Sequence, residues 1–124
     1  MEREHDQMTE KWDGEAFRRR MASREQDAER YASEHADRLR RGQSNGSQYQ
    51  RGISLGEAFA YGMLVSSAAT QGLHSLLRKL EEMTANPPSP RSDADASGFL
   101  MGFQGAVRQL RAEVAKSGDR PGAD

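Results

Sequence analysis

The stretch SLGEAFAYGMLVSSAATQGLHSLLRKLEEMT, Ser54–Thr84, decides the fold class of this chain. It contains a run from Ala58 to Leu77 that has no Asp, Glu, Lys or Arg. Its apolar side chains recur at helical spacing and do not alternate with polar ones as in a strand. Ser54 and Glu57 have the spacing of a capping box, and the prolines after Asn86 end a helix. We therefore expect one long, largely buried helix over about 54–84.

Two further segments have helical patterns. About 93–116 carries one apolar face that includes Phe99, Phe103 and Leu110, and about 9–41 carries a narrow apolar stripe between charged faces. The chain has only three valines and one isoleucine, so we expect no sheet. The sequence predicts an all-α fold: an antiparallel helical hairpin core (about 54–84 and 93–116) preceded by a long amphipathic N-terminal helix (about 9–41). Whether that first helix docks on the core or extends away stays open at this point.

Composition divides the chain into four parts. Residues 1–41 are predicted to form a charged amphipathic helical arm, and residues 53–117 the hairpin core. Between them, GQSNGSQYQRG at 42–52 has the glycines and small polar residues of a flexible Gly/Ser linker. Residues 118–124 contain Gly and Pro and are predicted to be a disordered tail.

Small residues on the predicted helices indicate close helix packing. Gly62 and Ser66 share one side of the second segment, and Gly98, Gly102 and Gly105 recur in the third. A glycine inside a helix costs about 1 kcal/mol relative to alanine, and close approach between helices offsets that cost. The partner helix belongs either to the same chain or to another copy. The predicted helix-interface residues are Phe59, Gly62, Met63, Ser66, Leu73, Leu77, Phe99, Gly102, Phe103, Val107 and Leu110.

The sequence lacks the residues that several kinds of catalytic and metal site require. The chain has no cysteine, which excludes disulfides, thiolate metal sites and a Cys nucleophile. His5, His35 and His74 have no metal-ligand spacing. The sequence contains no phosphate-binding loop and no serine nucleophile elbow. We therefore expect no enzyme activity, no catalytic residue, no cofactor and no metal.

Arginines cluster in the first segment and support an alternative function. Lys+Arg total 18 against 19 for Asp+Glu, a net charge of −1, so no overall bias toward nucleic acid follows. On a helical wheel, however, several arginines lie on the same side of the helix. Carboxylates lie on that side as well, and such mixed charge is typical of a solvent-exposed face. The alternative is a nucleic-acid-binding accessory protein that uses the Arg-rich first helix. Its candidate phosphate contacts are Arg20, Arg24, Arg38 and Arg41.

The run Gly102–Arg108, GFQGAVR, is similar to a segment of small phage-encoded helical proteins that sequester nucleotide signals. A likeness of seven residues assigns no family. It implies a further alternative: a small-ligand (nucleotide-type) binding oligomer of phage or mobile-element origin, whose pocket forms between protomers.

The sequence favours a non-enzymatic helical interaction or assembly protein. We expect it to self-associate, in coiled-coil fashion, and to bind a partner through helix faces, because the second segment is apolar on more sides than one antiparallel helix covers. Another protein is a candidate partner. The charged N-terminus has no signal-peptide core, and the polar groups between Ser66 and Ser75 disfavour a membrane span. A cytoplasmic bacterial or phage protein with no membrane partner is the expectation.

Overall fold

A computed structural model describes residues 13–42, 46–66 and 72–122. These residues form four helices and no strand: α1 (Gly14–Arg40), α2 (Gly46–Val65), α3 (Leu73–Ala85) and α4 (Ala96–Gly122). The all-α fold class, with a long first helix and helices packed on one another, is confirmed. Within the described ranges, no helix is both long and apolar enough to cross a membrane.

The second predicted helix is two helices, and its start was wrong. α2 ends at Val65 and α3 begins at Leu73, where the sequence pattern predicted one helix. Ser54 is not an N-cap: it lies inside α2 and is buried, because the helix already begins at Gly46. Residues 46–52, predicted as linker, are therefore helical, while 43–45 lie outside the described residues. Packing against α4 stabilises these turns despite their weak helix propensity.

The structure describes α1 from its N-cap at Asp13, and α4 extends beyond its predicted end. α1 begins at Gly14, where the Asp13 carboxylate accepts a hydrogen bond of 3.0 Å from the Ala16 amide; the predicted start at Thr9 lies outside the described residues. α4 continues past Gly118 to Gly122, so the predicted disordered tail is helical over 118–122. One glycine costs a helix only about 1 kcal/mol, too little to end it where the preceding turns are well packed.

α1 docks along α2, which settles the question that the sequence left open. The connection at 41–45 is short, whereas α1 and α2 are 27 and 20 residues long. A connection of that length brings two long helices together only when they run antiparallel. The first helix is thus part of the packed fold, and α2 lies between α1 and α4.

α2 and α4 run parallel, so the predicted hairpin of 54–84 with 93–116 is limited to α3 and α4, which are consecutive in the chain and in contact. A Cβ atom on Gly52 would meet Asp95, and one on Gly56 would meet Phe99, so contacts advance in the same direction along both helices. A Cβ on Gly102 would overlap the Ile53 carbonyl. Because α3 lies between α2 and α4 in the chain, two connections separate them rather than one.

Helices α1, α2 and α4 pack side by side, and the hydrophobic core lies at the end of this layer that α3 covers. α1 contributes Phe17 and Met21, and α2 contributes Leu64, while α3 and α4 supply most of the rest. α3 and α4 provide Leu76, Leu80, Met83, Phe103, Ala106, Val107, Leu110 and Val114. The opposite end, where α1, α2 and the start of α4 meet, is open enough to hold a cleft.

Candidate functional site

A cleft of about 440 Å³ lies between α1, α2 and the chain that leads into α4. Its volume is within the range of small-molecule sites, about 300–1,000 Å³. α1 forms one wall, α2 the floor, and Arg91 and Phe99 the far side. The lining residues are Glu25, Glu29, Ala32, Ser33, Ala36, Arg51, Leu55, Ala58, Phe59, Arg91 and Phe99.

Phe59 supplies an aromatic surface to this cleft. Its side chain is 42% exposed, although the rings behind it, Phe99 and Phe103, are fully buried. The Phe59 ring centroid lies 5.8 Å from that of Phe99 and 6.1 Å from that of Phe103, in tilted geometry. Aromatic pairs at these distances attract each other and fix the ring orientation. One part of the Phe59 ring therefore packs on Phe99 and Phe103, and another part is exposed to solvent.

One end of the cleft is basic. Arg51 donates to the Asp93 backbone carbonyl at 2.9 Å and to its carboxylate at 3.3 Å. Arg91 donates to the same carboxylate through Nε at 2.9 Å and Nη2 at 2.7 Å. The hydrogen bonds from Arg91, with a smaller contribution from Arg51, lower the pKa of Asp93 despite some desolvation. Asp93 thus holds two guanidinium groups together, and one positive charge remains uncompensated among the three.

The other end is acidic. Glu25 and Glu29 lie one turn apart on α1, and the Glu25 carboxylate lies against Gly62. Burial raises the pKa of Glu25, and the negative charge of Glu29 raises it further. A side chain at position 62 would meet the end of a flexible Glu25 side chain rather than a helix backbone. The cleft therefore has opposite charges at its two ends and an aromatic floor between them.

A second polar group joins α1, α2 and α4. Arg24 pairs with Glu113 at 3.3 Å, and its guanidinium lies 5.8 Å from the centroid of the Tyr61 ring. Its Nη1 atom is buried and has no hydrogen-bond partner among the described residues. Burial raises the pKa of Tyr61, and the carboxylates of Glu57 and Glu113 add to this while Arg24 opposes it. This group ties the three helices together.

The predicted interface residues divide by burial. Phe99, Gly102, Phe103, Val107 and Leu110 are buried within this chain, so Gly102 has its close helix partner in the same molecule. Gly62, Met63 and Leu73 are half-buried, and Ser66, Phe59 and Leu77 are exposed. Gly98 also packs on α2, whereas a Cβ on Gly105 would meet nothing within 4 Å. A role for these residues between chains stays a prediction.

The four arginines proposed as phosphate contacts have different surroundings. Arg24 is engaged with Tyr61 and Glu113 inside the bundle. Arg20 stacks on Phe17 at 5.6 Å, and Arg38 lies 2.8 Å from a ring nitrogen of His35, while Arg41 is exposed in the turn after α1. Phosphate binding by these residues stays a prediction. Over the residues described, no three potential metal ligands cluster.

The charged residues of the cleft were missed from the sequence. Arg51 lies in the predicted linker and Arg91 follows the prolines after Asn86, so the sequence pattern gives no sign that the two arginines lie close together. Glu25 and Glu29 carried one signal, since two carboxylates at i,i+4 on a helix repel each other and are unfavourable without a reason. Only the folded arrangement brings these four residues around Phe59.

No protein-family model matches the chain, and no curated protein or solved structure matches it either.

Proposed function

We propose that this chain is a non-enzymatic helical binding protein that holds a small partner in the cleft between α1 and α2. Phe59 carries this proposal: a large apolar side chain, backed by two buried rings, remains 42% exposed on the floor of a concave site. Binding a partner there removes apolar surface from water, which stabilises the complex. Its cytoplasmic location, and an origin in bacteria or phage, remain predictions.

The charged residues around Phe59 support the binding of a ligand. Arg51 and Arg91 are both bonded to Asp93 at one end of the cleft, and the carboxylates of Glu25 and Glu29 lie at the other end. Charged groups fixed at both ends of an apolar floor orient a ligand.

A fluorescent probe tests the proposal directly. Anilinonaphthalene sulfonate combines fused rings with an anionic group, so we expect it to bind the full chain in a saturable one-site titration. Phe59→Ser should abolish the fluorescence increase. Tyr31→Ser is the matched control, because Tyr31 is 49% exposed on α1 and does not line the cleft. No saturable binding, or equal loss in both variants, would overturn the proposed function.

Self-association is a second candidate, and it rests on a different surface. Met101 and Gly105 lie one turn apart on α4, where Met101 is exposed and Gly105 faces open space. An interior helix glycine with no neighbour in its own chain is explained by a second copy that approaches closely. Light scattering coupled to size exclusion should then show a dimer that Gly105→Leu converts to a monomer. A monomeric wild-type chain at high micromolar concentration contradicts this candidate and leaves the cleft proposal intact.

A further inference from the structure

We propose that the ligand of the cleft is an aromatic amine that carries an acidic group at its opposite end. The ring stacks on Phe59, the acidic group binds between Arg51 and Arg91, and the amino group donates to the carboxylates of Glu25 and Glu29. This assignment rests on the proposed function, and it adds the chemical class of the ligand.

The ring position follows from how Phe59 is supported. Phe99 and Phe103 pack on Phe59 in tilted geometry and leave another part of its ring on the cleft surface. A planar ligand ring covers that surface with little loss of its own conformational freedom. Leu55 and Ala58 extend the apolar floor beside it, and aliphatic neighbours favour a ring over a charged group at this place.

The acidic group of the ligand is inferred from Arg51 and Arg91. Asp93 is the only carboxylate that lies within 4.0 Å of Arg51 or Arg91 among the described residues, so two positive charges face one negative charge. The bonds to Asp93 use both Nη atoms of Arg51 and the Nε and Nη2 atoms of Arg91. Within the described residues, Arg51 Nε and Arg91 Nη1 have no acceptor and are available as donors. Guanidinium groups held in place in this way are suited to carboxylate or phosphate oxygens.

The amino group of the ligand is inferred from the two glutamates at the other end of the cleft. Glu25 and Glu29 have no basic partner within 4.0 Å in the described part of the chain, although each lies one turn from the other. An anion at this end would be repelled. A donor such as an amino group offsets the repulsion between the two carboxylates.

The spacing fits a molecule with its polar groups at opposite ends. Gly62, which contacts Glu25, lies eleven residues after Arg51 on α2, or roughly 16 Å along the helix axis. Glu29 is one turn of α1 nearer to Arg51, which shortens the separation to roughly 10 Å. A molecule with adjacent amino and acid groups, such as a free α-amino acid, does not reach both ends.

Calorimetric titration of the full chain tests the assignment with matched probes. 4-Aminobenzoate and adenosine monophosphate each carry an aromatic amine and a distant acid, and they represent two sources of the same chemistry. Benzoate and inosine monophosphate lack the amino group. We expect at least one amino probe to bind, its amino-free counterpart to bind about tenfold more weakly, and inorganic phosphate alone not to bind. The amino probe that binds identifies the source as an aryl acid or a nucleotide.

Variants connect each group of the ligand to its residue. Glu29→Ala should remove the preference for the amino probe, and Phe59→Leu should weaken both ring probes. Arg91→Gln should weaken every acidic probe, whereas Arg91→Lys retains part of the binding because it keeps the charge. Arg78→Gln is the control, since Arg78 is exposed on α3 outside the cleft.

The outcomes separate this inference from the proposed function. If anilinonaphthalene sulfonate occupies the cleft but no amino probe binds, the ligand class is wrong and the proposed function stands. Equal binding of amino and amino-free probes, or phosphate binding as tight as that of adenosine monophosphate, overturns the inference as well. If the sulfonate probe also fails to bind, both proposals fall.

Discussion

Single glycines determine how closely α2 and α4 approach. A Cβ atom on Gly56 would overlap the Phe99 backbone, and one on Gly102 would overlap the Ile53 backbone. Helix backbones cannot move aside as a side-chain end does, so the two helices would have to separate. Gly105 lies on the same helix as Gly102 with nothing within 4 Å, which makes it a natural control for helix propensity.

We predict opposite effects of alanine at these positions. Gly102→Ala should lower the free energy of unfolding by about 1–3 kcal/mol, because overpacking outweighs the gain in propensity. At a concentration where the chain is monomeric, Gly105→Ala should raise it by up to about 1 kcal/mol, since within one chain only propensity acts there. Urea unfolding followed by circular dichroism measures both. Stabilisation by Gly102→Ala would show that the helices are not in contact at this point.

Glu57 gives a pH-dependent prediction at the same scale. Burial raises the pKa of Glu57 above its usual 4.5, so the folded state favours the neutral carboxyl. The resulting stability is present below the unfolded pKa and is lost as pH rises through the folded pKa. Glu57→Gln should therefore raise the melting temperature at pH 7 and have little effect at pH 4. Glu81→Gln, on an exposed position of α3, controls for loss of charge; an equal gain at both pH values contradicts the prediction.

At the scale of elements, the largest difference from the sequence pattern is the start of α2. GQSNGSQYQRG has the composition of a linker, yet Gly46 onward is helical. Glycine and serine are poor helix formers, so the sequence predicts a linker here. The sequence does not reveal that Gly52 and Gly56 pack against α4, which stabilises the helix. By contrast, the apolar face of α4 was predictable, because Phe99, Phe103 and Leu110 repeat at helical spacing and are buried. Local periodicity predicts which face is buried; contacts distant in sequence decide where helices begin and which pairs run parallel.

The helical start of α2 changes the expected sites of proteolysis. A flexible linker would expose both Arg41 and Arg51 to trypsin. In the structure Arg41 lies in the turn after α1, whereas Arg51 is inside α2 and is bonded to Asp93. We therefore expect the first cut after Arg41 and slow cleavage after Arg51, measured by mass spectrometry over a time course. Asp93→Ala should speed the second cut, and rapid early cleavage after Arg51 in the wild type would restore the linker interpretation.

At the scale of the whole molecule, α1 contributes directly to the core. Phe17 and Met21 are 2% and 1% exposed and share one cluster with residues of α2, α3 and α4. Arg24 adds an ion pair with Glu113 of α4. The sequence left open whether the first helix docks on the core, because its apolar stripe is narrow. In the folded chain Arg24 of this helix contacts the Tyr61 ring and pairs with Glu113, so a charged residue also joins α1 to α2 and α4.

Cooperative unfolding distinguishes one packed unit from an arm and a core. Phe17→Ala removes a buried ring and should lower the free energy of unfolding by about 3–5 kcal/mol. Because Phe17 and Leu110 belong to the same cluster, hydrogen exchange should speed up in α4 as much as in α1. Tyr31→Ala is the matched control on the exposed side of α1, where Tyr31 is 49% exposed, and should leave exchange in α4 unchanged. If Phe17→Ala speeds exchange in α1 alone, α1 unfolds independently of the other helices. The cleft would then lose the side that α1 forms.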